Sequence, residues 1–286
     1  MDLTLQPLTN QHCNTGENPY WHPDDGCVYW TDIPAGVLYQ YDPKAKKTIV
    51  CYRGDPVGGF TLQGDGKFLL FRVNDIATFD PKLGHVTSIV KLDFNPDEIP
   101  RFNDVHADPL GRVFAGTMGR NKKGGLFRIE RDGKVKQMFA GTNCSNGMAF
   151  TQDESIMYWT DTSGRTLYKF RYHKEAGDLT DREVFYACPE GEGAPDGTAM
   201  DRDGNLWSAR WGGSRICLIS PDGKKYDELK FPVSAVSSAI FGGEKDDQLF
   251  VTTAEGKPGT DNPAGTLYKV STQTTGRPRF RSMIGL

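Results

Sequence analysis

The chain has 286 residues, with 34 Lys and Arg against 37 Asp and Glu and a formal net charge of −3 at pH 7. That length suits one large all-β domain spanning residues 1–286 better than a chain of small ones. Near-balanced, dispersed charge argues against a nucleic-acid groove or an anionic membrane surface as partner, and no apolar run approaches the roughly 18 residues that a membrane span needs.

The N-terminal stretch "MDLTLQPLTNQHCN" lacks the basic and hydrophobic regions of a signal peptide. Six cysteines without C-x-x-C spacing read as buried, reduced thiols, which places the expected location in the cytoplasm. Thirty-three glycines and seventeen prolines with no low-complexity tract fit many short strands joined by turns.

From residue 18 onward one pattern recurs six times. A short apolar run opens each unit: "NPYW", "GGFTL", "NDVHA", "NGMAF", "DGTAM", "SSAIF". A polar turn follows, as in "HPDDG", "QGDG", "DPLG", "TQDE", "DRDG" and "GGEKDD". A stronger run comes next ("CVYWTD", "KFLLFR", "RVFAGT", "IMYWTD", "NLWSAR", "QLFVTT"), then a third ("VLYQYD", "IATFD", "GLFRIE", "TLYKF", "ICLIS", "TLYKV"). A period of about 40–50 residues with three or four strands per unit is the signature of a β-propeller blade. The expected fold is therefore all-β: a six-bladed β-propeller with four-stranded antiparallel blades around a central channel. Closing such a ring requires a strand from the other terminus, with "DLTLQPL" as first candidate and "PRFRSMI" as its rival.

The first strand of each blade lines the channel, so equivalent positions form a ring around the axis. The position four residues before the last apolar residue of each first run is Glu17, Gly58, Asn103, Asn146, Asp196 and Ser237. Two acids and two amides in one register would repel unless a cation sat among them, and their oxygens suit a hard divalent ion. Gly58 is expected to leave room for it. The second strands return to the same face, so their exit loops surround the ring: 32–36, 72–75, 117–125, 161–165, 210–215 and 254–265. Arg101 and Trp211 belong to that face. No G-x-S-x-G, H-E-x-x-H or P-loop motif is present, and His22 and His106 read as packed core histidines rather than bases.

The blocks "TGENPYW", "RFNDVHADPLGRVFAGTM", "CSNGMAF…MYWTDT" and "APDGTAMDRDGNLW" resemble, in order, the blade-start motifs of the gluconolactonase, regucalcin and senescence-marker-protein family. The resemblance covers nearly the whole chain. It implies metal ligands at Glu17, Asn146 and Asp196, an acid/base role for Asp196, and substrate contacts at Arg101 and Asn103. A further substrate-contacting acid of the family, a few residues beyond "AGTM", has no counterpart in "GRNKKGG", where Asn121 is the nearest polar candidate.

The implied activity is metal-dependent opening of a sugar lactone of the glucono- or xylono type to the aldonic acid. One divalent ion is expected (Ca, Mg, Mn, Fe or Zn), and the oxygen-only ligand set does not require zinc. The implied partner is a small sugar lactone, with the protein a monomer or weak homo-oligomer. Two rival readings share the scaffold: a promiscuous ester or organophosphate hydrolase on the same metal, and a non-catalytic binding propeller whose metal is structural.

Overall fold

The computed structural model describes residues 4–255 and 264–285, so most of the 254–265 exit loop lies outside the described residues. Blade one comprises Gly16–His22, Cys27–Asp32, Val37–Asp42 and Lys47–Arg53; blade two comprises Gly59–Leu62, Phe68–Phe71, Asp75–Asp80 and His85–Lys91. Blade three runs through Arg101–Ala107, Val113–Met118, Gly124–Ile129 and Val135–Thr142, and blade four through Ser145–Phe150, Ile156–Asp161, Thr166–His173 and Asp178–Ala187. Blade five is Ala194–Met200, Leu206–Trp211, Arg215–Ile219 and Lys225–Lys230. Each is an antiparallel sheet in chain order. Blade six has Val236–Gly242, Gln248–Thr253 and Tyr268–Ser271, and takes its outermost strand, Leu5–Pro7, from the N-terminus. Leu5 stands opposite Val270 and Pro7 opposite Tyr268. The ring thus closes through the first of the two expected segments, and the structure is a six-bladed β-propeller. Among the described residues no helix is long and apolar enough to cross a membrane.

The core is divided among the seams between blades rather than gathered in one mass. The Tyr20, Tyr29, Phe60 and Phe68 cluster fills the seam between blades one and two, with Phe60 edge-on to Phe68 at 5.2 Å. Val28, Trp30, Ile240 and Phe250 fill the seam between blades one and six. Second strands such as Phe68–Phe71 are buried on both faces because a seam lies on each side of the sheet. Each side chain so buried contributes about 1.5–3 kcal/mol. Outermost strands such as His85–Lys91 are nearly all exposed, which is why the fourth strand of each unit reads more weakly in the sequence.

The inner strands carry the feature that builds the site. In five blades their pairing skips: between Glu17 and Tyr20, Phe102 and Val105, Asn146 and Met148, Pro195 and Thr198, and Val236 and Ser238. A bulge leaves residues unpaired and re-aims a side chain that regular alternation would direct into a seam. Blade two has no such skip from Gly59 to Leu62. Gly58 itself does not leave room in the channel, as the sequence had suggested. A Cβ there would stand 2.2 Å from the Phe102 carbonyl oxygen, so the glycine is required by the close approach of blades two and three. Gly147 has the same cause: its Cβ would fall 2.6 Å from the Asp196 carbonyl oxygen.

On the face opposite the bulges, the C-terminal segment 276–285 crosses the mouth of the channel. Gly276 bridges to Asp201, Ser282 N–H donates to the Leu62 carbonyl at 2.9 Å, and Met283 N–H donates to the Gly111 carbonyl at 2.8 Å. The rival closing segment, 278–284, is therefore a strap and not a blade strand.

Candidate active site

Where the bulged inner strands meet, a cavity of about 290 Å3 opens on the exit-loop face. Its polar side holds Glu17, Arg101, Asn103, Asn146 and Asp196, drawn from blades one, three, four and five. An apolar wall of Ile33, Met118 and Trp211 rises from the exit loops and strand ends, with Thr15, Cys144 and Thr162 between. Trp211 is 37% exposed, a large ring left at the rim.

The polar side chains are fixed by one another. Arg101 Nη1 donates to the Phe102 carbonyl at 2.8 Å and to Asn103 Oδ1 at 2.6 Å. Asn103 Nδ2 donates to the Ser145 carbonyl at 3.0 Å and to Asn146 Oδ1 at 2.5 Å. Asn146 Nδ2 donates to Thr162 Oγ1 at 2.7 Å, and Thr162 Oγ1 donates to the Pro195 carbonyl at 2.7 Å. This arc runs from blade three to blade five and satisfies buried amides that would otherwise be costly. Glu17 is held by the Asn18 N–H, which donates to Oε2 at 2.9 Å. Asn18 adopts a left-handed φ of 47°, and its own Oδ1 accepts from the Phe60 N–H at 2.9 Å, pinning blade one to blade two.

Three of the sequence candidates fall elsewhere. Gly58 serves the seam described above. Ser237 turns away from the cavity and donates from Oγ to the Gly16 carbonyl at 2.6 Å, closing blade six on blade one. Asn121 is exposed in a left-handed turn (φ 51°) and does not line the cavity, because the turn after Met118 carries it out to solvent.

The residue that sequence reasoning passed over is Asp104. It lies in the same skipped stretch as Asn103 and is buried, with only 6% of its surface exposed. Burial pushes its carboxyl up to about 6, against the opposing pull of Arg279 and Arg101. Burial, and then the charges of Asp196 and Asp104, hold Glu17 well above the ordinary carboxylate range. Asp196 is raised for the same reasons, burial first and Asp104 second. Burial lowers the Arg101 guanidinium and pushes the Cys144 thiol up to about 12, so that thiol is no nucleophile. His106 lies on the inner strand of blade three outside the cavity, driven down to about 3 by burial, as a core histidine should be.

Two buried carboxyls and an amide oxygen facing one cavity are short of positive charge, since Arg101 is the one cationic side chain in its lining. That donor set fits a hard divalent cation. Among the described residues no three His, Cys, Asp or Glu side chains gather to hold a metal, so a site here depends on the Asn146 amide as third ligand.

The comparisons with known proteins agree with this architecture. The profile of the SMP-30/gluconolactonase/LRE-like region matches residues 15–255. The pentonolactonase XacC of Haloferax volcanii is 39% identical, covering 99% of this chain and all of that protein. The 6-deoxy-6-sulfogluconolactonase of Pseudomonas putida is 33% identical over 89% of this chain and 88% of its own. The crystal structure of a protein from Agrobacterium tumefaciens described as a calcium-binding regucalcin superposes with a TM-score of 0.91 at 24% identity, covering 98% and 97% of the two chains, and so shares the fold. The chain therefore belongs to the SMP-30/gluconolactonase/LRE-like family.

Proposed function

We propose that this chain is a metal-dependent sugar lactonase that opens an aldonolactone to its aldonic acid. The observation that carries the reading is the convergence of Glu17, Asn146 and Asp196 with Arg101 and Asn103 in one cavity. Relatives named as lactonases at 39% and 33% identity support it.

Lactone hydrolysis needs a water stripped of a proton, a carbonyl oxygen that can take negative charge, and a proton for the departing ring oxygen. A divalent ion held by Glu17, Asn146 and Asp196 would supply Lewis acidity toward the carbonyl. Asp196 serves as the proton carrier, accepting from the attacking water and returning the proton to the ring oxygen. Its burial and the nearby Asp104 charge make it a stronger base than an ordinary carboxylate once ionised. Arg101 and Asn103, already locked to each other at 2.6 Å, hold the sugar hydroxyls without having to be ordered first. The apolar wall of Ile33, Met118 and Trp211 covers the C–H face of the sugar ring and excludes water from that side.

The same wall favours one second reading, hydrolysis of esters that carry an apolar group. A panel of pentono- and hexonolactones against aryl and organophosphate esters, with and without chelator, tests both. Chelator-sensitive turnover of sugar lactones well above that of aryl esters is the expected result. Faster aryl-ester turnover would transfer the assignment to the second reading, and no turnover of any substrate would leave a binding propeller.

A further inference from the structure

The direction of every hydrogen bond in the arc from blade three to blade five follows from its two ends. A guanidinium can only donate, so the Asn103 atom 2.6 Å from Arg101 Nη1 is its carbonyl oxygen. The Asn103 amino group then faces the Ser145 carbonyl at 3.0 Å, which needs a donor. The same amino group reaches Asn146 at 2.5 Å, and the atom it meets there must be Oδ1. The other end gives the same answer independently. Thr162 Oγ1 stands 2.7 Å from the Pro195 carbonyl, which can only accept, so its single hydroxyl proton is committed there. Toward Asn146, 2.7 Å away, that oxygen can therefore only accept, and it faces Nδ2. Cys144 Sγ, 3.4 Å from the same nitrogen, can donate or accept weakly and decides nothing.

We propose that Thr162 is a positioning residue for Asn146, fixing which end of its amide is offered to the ion. The two ends have nearly the same shape, and only the oxygen ligates a hard cation. One lone pair of Oδ1 accepts from Asn103, and the second stays free. Turned about, Asn146 would set its amino group against that of Asn103 and its oxygen against Thr162, whose proton would have to leave Pro195. Asn103 supports the same orientation but is itself assigned to a sugar hydroxyl, so Thr162 is the anchor that stays when substrate binds. The position is marked in the repeat. "YWTD" is followed by Ile33 in blade one and by Thr162 in blade four, and both line the cavity. Blade one supplies only wall there, whereas blade four has an amide to orient. This rests on the metal reading of the cavity proposed above.

The test is titration of Mn2+ into chelator-treated, full-length protein, followed by calorimetry. Removing a partner that orients a metal ligand typically costs about ten- to a hundredfold in affinity. Thr162→Val keeps the shape without the hydroxyl and should bind Mn2+ at least about tenfold more weakly than wild type, whereas Thr162→Ser should return to within about threefold. In an Asn146→Asp background both ends of the side chain are oxygens, so the same Thr162→Val change should cost less than about threefold. Thr166→Val deletes a hydroxyl of the same hairpin that bonds the Gly164 carbonyl outside the arc, and should leave the affinity unmoved. If Thr162→Val fails to fold, Thr162→Ala carries the same expectation. A loss smaller than about tenfold, an equal loss in the Asn146→Asp background, or an equal loss in Thr166→Val overturns the proposal while leaving the metal reading intact. Failure of wild type to bind Mn2+, or identical binding by Glu17→Gln, overturns both.

Discussion

The two ends of the channel are made from the same six strands and behave oppositely. At the exit-loop end five inner strands break their pairing, and four of them bring polar side chains into one cavity. At the other end the same strands pair without a skip from Val105 to Ala107 and from Met148 to Phe150, and their side chains pack under the strap. Phe150, for example, meets Phe280 at 6.0 Å. One end has been left short of contacts and of compensating charge, and the other has been sealed. The site proposed to receive an ion and a polar substrate thus lies at the less satisfied end of a rigid scaffold.

Several substitutions would break that division, and the largest effect is expected at Asp196. Asp196→Ala should lower lactone turnover by at least about 10²-fold, the usual minimum for lost acid–base help, with an unchanged far-ultraviolet circular dichroism spectrum. Retention of a tenth of the rate would show that another group carries the proton. Chelation should abolish turnover too, and more than one of Mg2+, Mn2+ and Ca2+ should restore it at different rates, because an oxygen-only set is tolerant of ion size. Metal-free protein that works at full rate would reduce the ring to scaffolding.

Arg101→Ala should raise KM by about tenfold or more while stoichiometric metal binding persists, because the side chain reaches Asn103 and not the carboxylates. Loss of bound metal in that variant would place Arg101 in the floor instead.

At the sealed end the expected effect is on stability. His106 sits folded with its pKa driven to about 3 by burial, with Arg279 and Arg277 adding to the shift. The unfolded chain therefore binds this proton first, and stability tied to His106 is lost as pH falls from about 6.5 toward 3, on the order of 5 kcal/mol in full. His106→Gln should flatten that part of the pH profile in urea melts relative to wild type, and an unchanged slope would refute the assignment. Asn121→Ala should alter neither KM nor kcat beyond about twofold, since its turn points into solvent.

The blades were readable because each unit repeats a turn and a doubly buried second strand, and "CVYWTD" or "KFLLFR" can hardly be anything else. The ring register was readable for the same reason: four of its six positions meet in the cavity. Asp104 was not, because alternation along a strand directs it away from the side Asn103 takes, and a bulge is a property of the pairing rather than of either residue. Gly58 and Ser237 shared the register but answer to seam packing, visible only once the neighbouring backbone is in place. The apolar wall combines Ile33, Met118 and Trp211 from three separate exit segments, none of which is patterned. Nothing in "GRPRFRSMIGL" announces a strap, because its hydrogen bonds run to every blade rather than along itself.

That strap and the first strand also impose an order on biosynthesis. Leu5 pairs with Val270, and the strap begins only at residue 276, so neither closure of the ring can form before those residues have been made. Until residue 250 is made, blade one offers an unpaired seam beside Trp21 and Trp30, whose eventual neighbour is Phe250. Closing the ring is therefore slow for its size, as distant pairings are. A chain cut short at residue 274 would carry its strands but no strap across its channel.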